Sequence, residues 1–257
     1  MTKPDIDHLI ANLGEALFTN EESFESLAKQ HSNNLSIDDL PYMFGKLHYP
    51  PPLHQHINKE ALGLGDWMAI CQYAIFELIY HLGVKALGTL RSIAYGKYDW
   101  TQATALEVIC RLYADGKLPA DVISEMDLRL EGMRYETHLY FAKSLLKRRA
   151  RDQQFNEIIN QMKNTDLRLA FAELGQNIPM TRKELIELGE KIIAADASEE
   201  ELPKLMELFD ANVPYPAGSS LFYYPKNYNA RTTDISQYNP SVEEVVDICL
   251  SYKPIIL

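Results

Sequence analysis

Hydrophobic residues recur at helical spacing along most of the chain. Near the N-terminus they lie three or four positions apart, on one face of a predicted helix: Ile6, Leu9, Ile10, Leu13 and Leu17. Residues 33–64 break this pattern, because prolines and glycines cluster there and favour an irregular connection. Helical stripes resume after residue 66 and continue, with short turns, to residue 175. The hydrophobic pattern therefore predicts an all-α protein.

The middle of the chain contains a weak repeat of helix pairs. Asp66-Trp67 and Asp99-Trp100 each open an apolar helix, 33 residues apart, and a third helix begins near Arg134 after a similar interval. Such a period is typical of α-solenoids of the HEAT or tetratricopeptide type, although no sharp consensus is present. We therefore predict a first domain, residues 1–175, that is a solenoid-like or irregular helical array.

A second, smaller domain is predicted over residues 179–257. Thr181 and Glu184 have the spacing of a helix-capping box, and Ser198 and Glu201 repeat that spacing before the next helix. This next helix is acidic, with five acidic residues against Lys204 alone between positions 199 and 210. Acidic residues near a helix N-terminus also suit an ordinary solvated helix, and this alternative stays open.

A turn rich in aromatic residues follows at Tyr215–Pro225. Pro216 and Gly218 favour a tight turn, because proline fixes φ and glycine permits positive φ. Tyr223 and Tyr224 are adjacent, so burying one of them leaves the other poorly covered by the same core. Paired aromatics of this kind are typical of protein-binding hot spots, and a surface turn with one buried tyrosine is the alternative.

Composition and charge narrow the possible functions. The net charge of −11 argues against nucleic acid as a direct ligand and favours a basic protein partner. Three cysteines stand alone in helical patterns, which predicts buried, reduced thiols. No apolar run reaches the roughly 18 residues of a membrane span, and the N-terminal segment lacks the apolar core of a secretory signal. We therefore expect a cytoplasmic protein that does not enter a membrane.

The sequence contains no recognisable catalytic motif. GxSxG, P-loop, GxGxxG and HExxH patterns are absent, so we predict a protein that is not an enzyme and needs no cofactor or small-molecule substrate. His54 and His56 alternate in an extended stretch, but no third ligand stands nearby, so no metal site is predicted. The basic run Lys147-Arg148-Arg149 suits a solvated helix C-terminus, with a phosphate-binding patch as the alternative.

The order of the C-terminal elements resembles the colicin and pyocin immunity protein family. The resemblance rests on the capped helix from Thr181, the acidic helix Asp196–Phe209, the turn Tyr215–Pro225 and a final helix that opens with Pro240-Ser241. It covers residues 179–257 and leaves the first 175 residues outside. It implies a small four-helix domain that binds a cognate bacterial nuclease toxin beside its active site, where the negative charge of the inhibitor excludes DNA.

By position, the resemblance also implies which residues contact the toxin. The implied anchors are Ser219, Tyr223, Tyr224 and Pro225. The implied specificity face belongs to the acidic helix and comprises Glu199, Leu202, Pro203, Met206, Glu207 and Asp210. Ser220, a further candidate contact, stands where the family usually has an aspartate, and the connection 226–239 is longer than the family's.

Two functions follow from these observations. The first is an immunity protein, a stoichiometric protein inhibitor of a basic toxin nuclease that does not itself bind nucleic acid. The alternative is a non-enzymatic helical scaffold or adaptor, in which residues 1–175 are the part that binds the partner.

Overall fold

The described part of the chain is all-α, and the prediction from the hydrophobic pattern is confirmed. The computed structural model describes residues 5–19, 21–52, 63–194 and 201–253, and these ranges contain α-helices and 3-10 helices but no strand. The α-helices are α1 (Ile6–Thr19), α2 (Glu21–Ser32), α3 (Leu40–Gly45), α4 (Leu64–Leu82), α5 (Leu87–Ala94), α6 (Gln102–Ala114), α7 (Val122–Leu130), α8 (Tyr135–Arg149), α9 (Gln154–Gln161), α10 (Thr165–Glu173), α11 (Arg182–Ile193), α12 (Glu201–Ala211) and α13 (Val242–Ser251). The 3-10 helices are Ile37–Asp39, Gly83–Ala86 and Gly218–Phe222.

Two compact units divide the chain, Met1–Met162 and Lys163–Leu257. The sequence placed the end of the first domain at residue 175, so α10 was expected there. In the structure α10 packs against α12 of the second unit, and its Leu167 and Phe171 side chains are buried. The difference arises because an amphipathic stripe shows that a helix has a core-facing side, but not which core that side faces.

The first unit is built around α4 and α6. α4 packs against α1, α2 and α6, while α6 also packs against α5, α8 and α9. Every residue from Ala105 to Leu112 of α6 is buried, because neighbouring helices cover it on several sides. Consecutive helices also pack in pairs, α1 on α2, α5 on α6 and α8 on α9. The assignment of these pairs to the HEAT or tetratricopeptide type stays a prediction.

One helical stretch of the first unit has the length and composition of a membrane span. Gly65–Ala94 passes this test, which corrects the expectation that no apolar run is long enough. This stretch comprises most of α4, the 3-10 turn Gly83–Ala86 and α5, and α4 alone has 19 residues. Of its most apolar window, 44% is buried inside the protein, and the core helix of a soluble protein passes the same test. Length and composition alone are weak evidence for a span.

A buried ion pair joins the two central helices of the first unit. Glu77 on α4 accepts two hydrogen bonds from the Arg111 guanidinium on α6, at 2.6 and 2.8 Å, and His81 Nε2 lies 3.4 Å from the same carboxylate. Burial alone would raise the pKa of Glu77, but the hydrogen bonds from Arg111, the neighbouring His81 and nearby positive charges lower it to about 2. The carboxylate is therefore charged inside the core and depends on Arg111 for compensation.

The second unit is built around α11. α11 packs against α12, α13 and the 3-10 helix Gly218–Phe222. It begins with the predicted capping box, in which the Thr181 N–H donates to the Glu184 carboxylate at 2.6 Å and the Glu184 N–H donates to the Thr181 hydroxyl at 3.4 Å. α13 begins with a second such box, from Ser241. The box predicted at Ser198 lies outside the described residues.

Candidate functional site

The turn before the paired tyrosines has an unexpected backbone. Ala217 has φ of 51°, in the left-handed region, whereas Gly218 does not have positive φ. Gly218 instead permits close packing: a Cβ there would lie 2.8 Å from Cys249 Sγ and 2.9 Å from Val213 Cγ2. The predicted turn is present, but its left-handed residue is Ala217, and its glycine is needed for space.

An acidic side chain of α12 holds this turn in place. Asp210 accepts hydrogen bonds from the Ser219 N–H at 2.7 Å and from the Ser219 hydroxyl at 3.0 Å. Ser219 is only 2% exposed. Ser219 is thus buried in the turn, and Asp210 is half-buried with both carboxylate oxygens bonded to Ser219, which ties the 3-10 helix to α12. The partner contacts implied for these two residues stay a prediction.

The hydrophobic pair between the serines and the tyrosines enters the core. Leu221 and Phe222 are buried, and the Phe222 ring meets that of Phe209 edge-on at a centroid distance of 5.0 Å. The Tyr238 hydroxyl donates to the Leu221 carbonyl at 2.6 Å, which ties the long connection to the same turn. The buried Leu221 and Phe222 side chains and the hydrogen bond from Tyr238 therefore hold the turn in place.

Both paired tyrosines remain exposed above this support. Tyr223 is 39% exposed and Tyr224 is 43% exposed, so the alternative of a turn with one buried tyrosine does not describe the structure. The Tyr223 hydroxyl donates to the Ile192 carbonyl near the end of α11, at 3.0 Å. The Tyr224 ring stacks on Tyr228, with centroids 4.7 Å apart. These contacts restrict the two side chains while much of each stays open to solvent.

The acidic helix presents the remaining candidate contacts. Pro203 and Glu207 are exposed and Leu202 and Met206 are half-buried, whereas Leu205, Leu208 and Phe209 of the same helix face the core. Pro203 is the third described residue of α12. Glu199 lies outside the described residues.

The other anchors lie at the end of the turn. Pro225 and Ser220 are half-buried, and the Ser220 hydroxyl donates to the Ala217 carbonyl at 2.7 Å, closing the turn on itself. The structure thus brings together Ser220, Tyr223, Tyr224 and Pro225 on one short segment.

Sequence reasoning missed the aromatic support in the long connection. Tyr228 stacks on Tyr224, and Tyr238 bonds to the turn, whereas the sequence of residues 226–239 had indicated only a long connection. The available signal was the presence of two further tyrosines in a stretch otherwise dominated by polar residues. An aromatic residue in a polar connection often packs back onto its neighbours.

Chemical groups near the turn do not form a reactive site. Cys249 beneath it is buried, and burial, with the nearby Asp210 charge, raises the pKa of its thiol to about 11. A thiol with such a pKa is a poor nucleophile near neutral pH. Across the described ranges no three metal-ligating side chains come together, while His54 and His56 lie outside those ranges. The exposed groups around the turn are aromatic and acidic.

Comparison with known proteins identifies a family for the C-terminal part of the chain, which contains the tyrosine turn. Residues 179–253 match the family described as colicin immunity protein / pyocin immunity protein. The chain is also similar to the uncharacterized protein YezA of Bacillus subtilis (strain 168), with 31% identity over 74 residues that cover 29% of this chain and 93% of YezA. No solved structure matches the chain significantly.

The matched segment contains α11, α12, the tyrosine turn and α13, while α10 of the same compact unit lies before it. The resemblance noted in the sequence is thus confirmed for the C-terminal part of the molecule and does not extend to the first unit. Through residues 179–253, the chain belongs to the colicin and pyocin immunity protein family.

Proposed function

We propose that this chain is an immunity protein that binds a cognate toxin nuclease and inhibits it stoichiometrically in the cytoplasm. The observation that carries the proposal is the pair of exposed tyrosines, Tyr223 and Tyr224, held in a fixed turn beside α12 in a domain of the immunity family. A protein of this kind needs no catalytic group of its own, because it acts by occupying a surface of its target.

Preorganisation supports the role of the turn. Tyrosine provides a large apolar area with a polar tip, and such residues dominate the binding energy of many interfaces. Tyr223 is already hydrogen-bonded to the Ile192 carbonyl and Tyr224 is already stacked on Tyr228. Binding would therefore lose less side-chain entropy than it would with freely rotating tyrosines.

Charge supports a basic target. Over residues 179–257 the chain has 13 acidic and 7 basic residues, and Glu207 projects from the exposed side of α12. Nucleases that bind DNA carry positive surfaces, and opposite charges accelerate encounter and exclude wrong partners. We assign the tyrosines to affinity and the exposed face of α12, with Leu202, Pro203, Met206 and Glu207, to partner choice.

The test uses the full-length chain and the product of the gene immediately upstream. An equimolar complex that abolishes a nuclease activity is the expected result. Replacement of Tyr224 by alanine should weaken the complex by about 2 kcal/mol or more, roughly thirtyfold in Kd, because a central aromatic contact is lost. The matched control is Tyr49→Ala, which removes an exposed tyrosine from the first unit and should leave Kd unchanged. Equal affinity for both variants would remove the tyrosine turn from the interface.

The adaptor function remains the second candidate, because the first unit also exposes aromatic side chains. It predicts that substitutions in the unit Met1–Met162 abolish binding of the partner and that Tyr224→Ala does not. The same titration, made with Tyr224→Ala and Trp100→Ala in parallel, separates the two functions.

A further inference from the structure

A third exposed tyrosine stands beside the pair in the turn. Tyr228, in the long connection 226–239, is 36% exposed, and Tyr224 is 43% exposed. Their rings are stacked, with centroids 4.7 Å apart and an angle of 26° between the ring planes. Isolated exposed aromatic residues are ordinary, but two rings that stack on each other while both stay open to solvent form one larger aromatic surface. The surface that contains Tyr224 therefore continues into the long connection.

A tight turn brings Tyr228 back onto Tyr224. The Tyr228 N–H donates to the Pro225 carbonyl at 3.0 Å, and Asn227 between them has φ of 66°, in the left-handed region. A hydrogen bond from residue i+3 to residue i, with positive φ at position i+2, is the pattern of a type II turn. Asparagine adopts this conformation more readily than most residues, because its short polar side chain can bond to the nearby backbone. The local sequence therefore favours the turn that places Tyr228 beside Tyr224.

The rest of the long connection bonds to itself and to the tyrosine turn. The Asn229 carbonyl accepts hydrogen bonds from the N–H groups of Thr232 and Thr233, at 3.1 and 2.9 Å, and the Asn229 N–H donates to the Thr233 hydroxyl at 3.0 Å. Further along, the Tyr238 hydroxyl donates to the Leu221 carbonyl at 2.6 Å. The connection is thus held near both of its ends. A partner that covers Tyr228 would meet a ring whose position is already restricted, which reduces the entropy lost on binding.

The long connection does not share the acidic excess of the domain around it. Its charged residues are Lys226, Arg231 and Asp234, two basic and one acidic, whereas residues 179–257 together have 13 acidic and 7 basic residues. All three residues are exposed. A basic partner would therefore not be drawn to this segment by charge. A contact that covers the segment depends instead on the stacked rings, which are large, apolar and restricted.

We propose that Tyr228 is a third anchor of the toxin interface, so that the toxin nuclease covers the stacked rings of Tyr224 and Tyr228 as one surface. This inference rests on the proposed function and extends the binding surface from the turn into the long connection. The toxin meets the stack with apolar or aromatic side chains, because the ring faces offer apolar area and the hydroxyl at each tip offers one polar contact. Interfaces commonly concentrate their binding energy in such clusters of aromatic residues.

The competing explanation is a Tyr228 ring that only positions Tyr224 and does not touch the toxin. The two roles differ in a double-mutant cycle, measured with the full-length chain and its cognate nuclease, the product of the gene immediately upstream. A ring that acts only by holding Tyr224 has no further effect once Tyr224 is replaced by alanine. A ring that the toxin covers still contributes to binding in that background.

The cycle therefore has a definite expected result. Tyr228→Ala should weaken binding by about tenfold in the otherwise unchanged chain, and by about threefold or more in the Tyr224→Ala background. Tyr49→Ala, at an exposed tyrosine of the first unit, is the matched control and should leave Kd unchanged. No further loss from Tyr228→Ala in the Tyr224→Ala background would overturn the proposal.

Photo-crosslinking tests directly whether the toxin lies against Tyr228. p-Benzoylphenylalanine replaces Tyr228, Tyr224 or Tyr49, one at a time, in the full-length chain, and each protein is irradiated together with the nuclease. We expect crosslinks from positions 228 and 224 and none from position 49. A crosslink from position 224 alone would overturn this proposal and leave the toxin-binding turn in place. Crosslinks from neither position would remove both tyrosines from the interface.

The salt dependence of binding separates a ring contact from an effect of charge. Tyr228→Ala removes apolar contact, so the fold-change it causes should be the same at low salt and at about 0.5 M salt. Glu207→Gln is the comparison, because it removes an exposed charge of α12 and its effect should shrink as salt is raised. A Tyr228→Ala effect that shrinks in parallel would assign the loss to altered charges of the connection and would overturn the proposal. If the chain forms no complex with a nuclease, this inference falls together with the proposed function.

Discussion

The two compact units hold their polar groups in place by different means. In the first unit, Glu77 and Arg111 bond across two regular helices inside the core. In the second, Asp210 bonds to the backbone and hydroxyl of Ser219 in a turn near the surface. Helices satisfy their own backbone groups, so the first ion pair positions packed helices relative to each other. The turn has few such bonds of its own, so the second contact determines where the following tyrosines stand.

The exposed aromatic residues of the two units also differ in how they are brought together. Tyr223 and Tyr224 are neighbours in sequence, and contacts with α11, α12 and the long connection hold them in place. Tyr73, Trp100 and Tyr140 come from three separate segments and meet only because α6 packs against α4 and α8. The first aromatic surface is therefore contiguous in the sequence, whereas the second exists only because three separate segments pack together.

The largest expected effect comes from breaking the ion pair in the first unit. Arg111→Met would leave Glu77 charged and uncompensated in the core, and should lower the free energy of unfolding of this unit by about 3 to 5 kcal/mol. Both tryptophans lie in the first unit, so urea unfolding followed by tryptophan fluorescence reports on that unit. The double variant Glu77→Leu/Arg111→Met should recover much of the loss, because it removes both charges. A loss below about 1 kcal/mol in the single variant would contradict this role.

Lowering the pH should reduce the free energy of unfolding of the first unit, because Glu77 becomes protonated. The folded pKa of Glu77 is lowered from its ordinary 4.5 to about 2, so the unfolded state binds the proton more readily. The stabilisation is present above the unfolded pKa and is lost as pH falls from about 4.5 towards 2. Between pH 5 and pH 3 we expect a loss of about 2 kcal/mol from this group. Glu77→Gln should show a correspondingly flatter pH dependence in fluorescence-detected unfolding, and an unchanged slope would assign the loss to other carboxylates.

Local patterns in the sequence were sufficient to predict the helices and several of their ends. Periodic apolar positions predict α6 and α11, and the spacing of Thr181 and Glu184 predicts the capping box at the start of α11, because these signals involve residues within one or two turns. The link between Asp210 and Ser219 could not be predicted, since it depends on the left-handed backbone of Ala217 between them. The Ser219 side chain is thus part of the internal support of the turn.

The sequence was less informative about contacts between segments that are far apart along the chain. The stripe of α10 fits either core, so the boundary between the units had to come from the packing of α10 on α12. Nothing local in the sequence indicates that Tyr73, Trp100 and Tyr140 lie close together, because they belong to three separate segments. Sequence order could nevertheless predict the tyrosine turn, whose residues are contiguous.

A smaller effect, confined to the second unit, should follow from filling a close contact in α11. A Cβ on Gly189 would lie 2.6 Å from Val242 Cγ1 and 2.8 Å from Phe222 Cζ, so Gly189→Ala should lower the free energy of unfolding by about 1 to 3 kcal/mol. The matched control is Gly88→Ala in α5, where nothing lies within 4 Å and the better helix former should stabilise by up to about 1 kcal/mol.

Two probes show which unit responds to these substitutions. Gly189→Ala should move the urea transition seen by far-ultraviolet circular dichroism and leave the tryptophan-detected transition in place, because the second unit contains no tryptophan. Gly88→Ala should move the tryptophan-detected transition in the opposite direction. If Gly189→Ala shifted both signals equally, the two units would unfold in one transition. The Glu77–Arg111 pair and the Asp210–Ser219 contact would then contribute to the same free energy of unfolding.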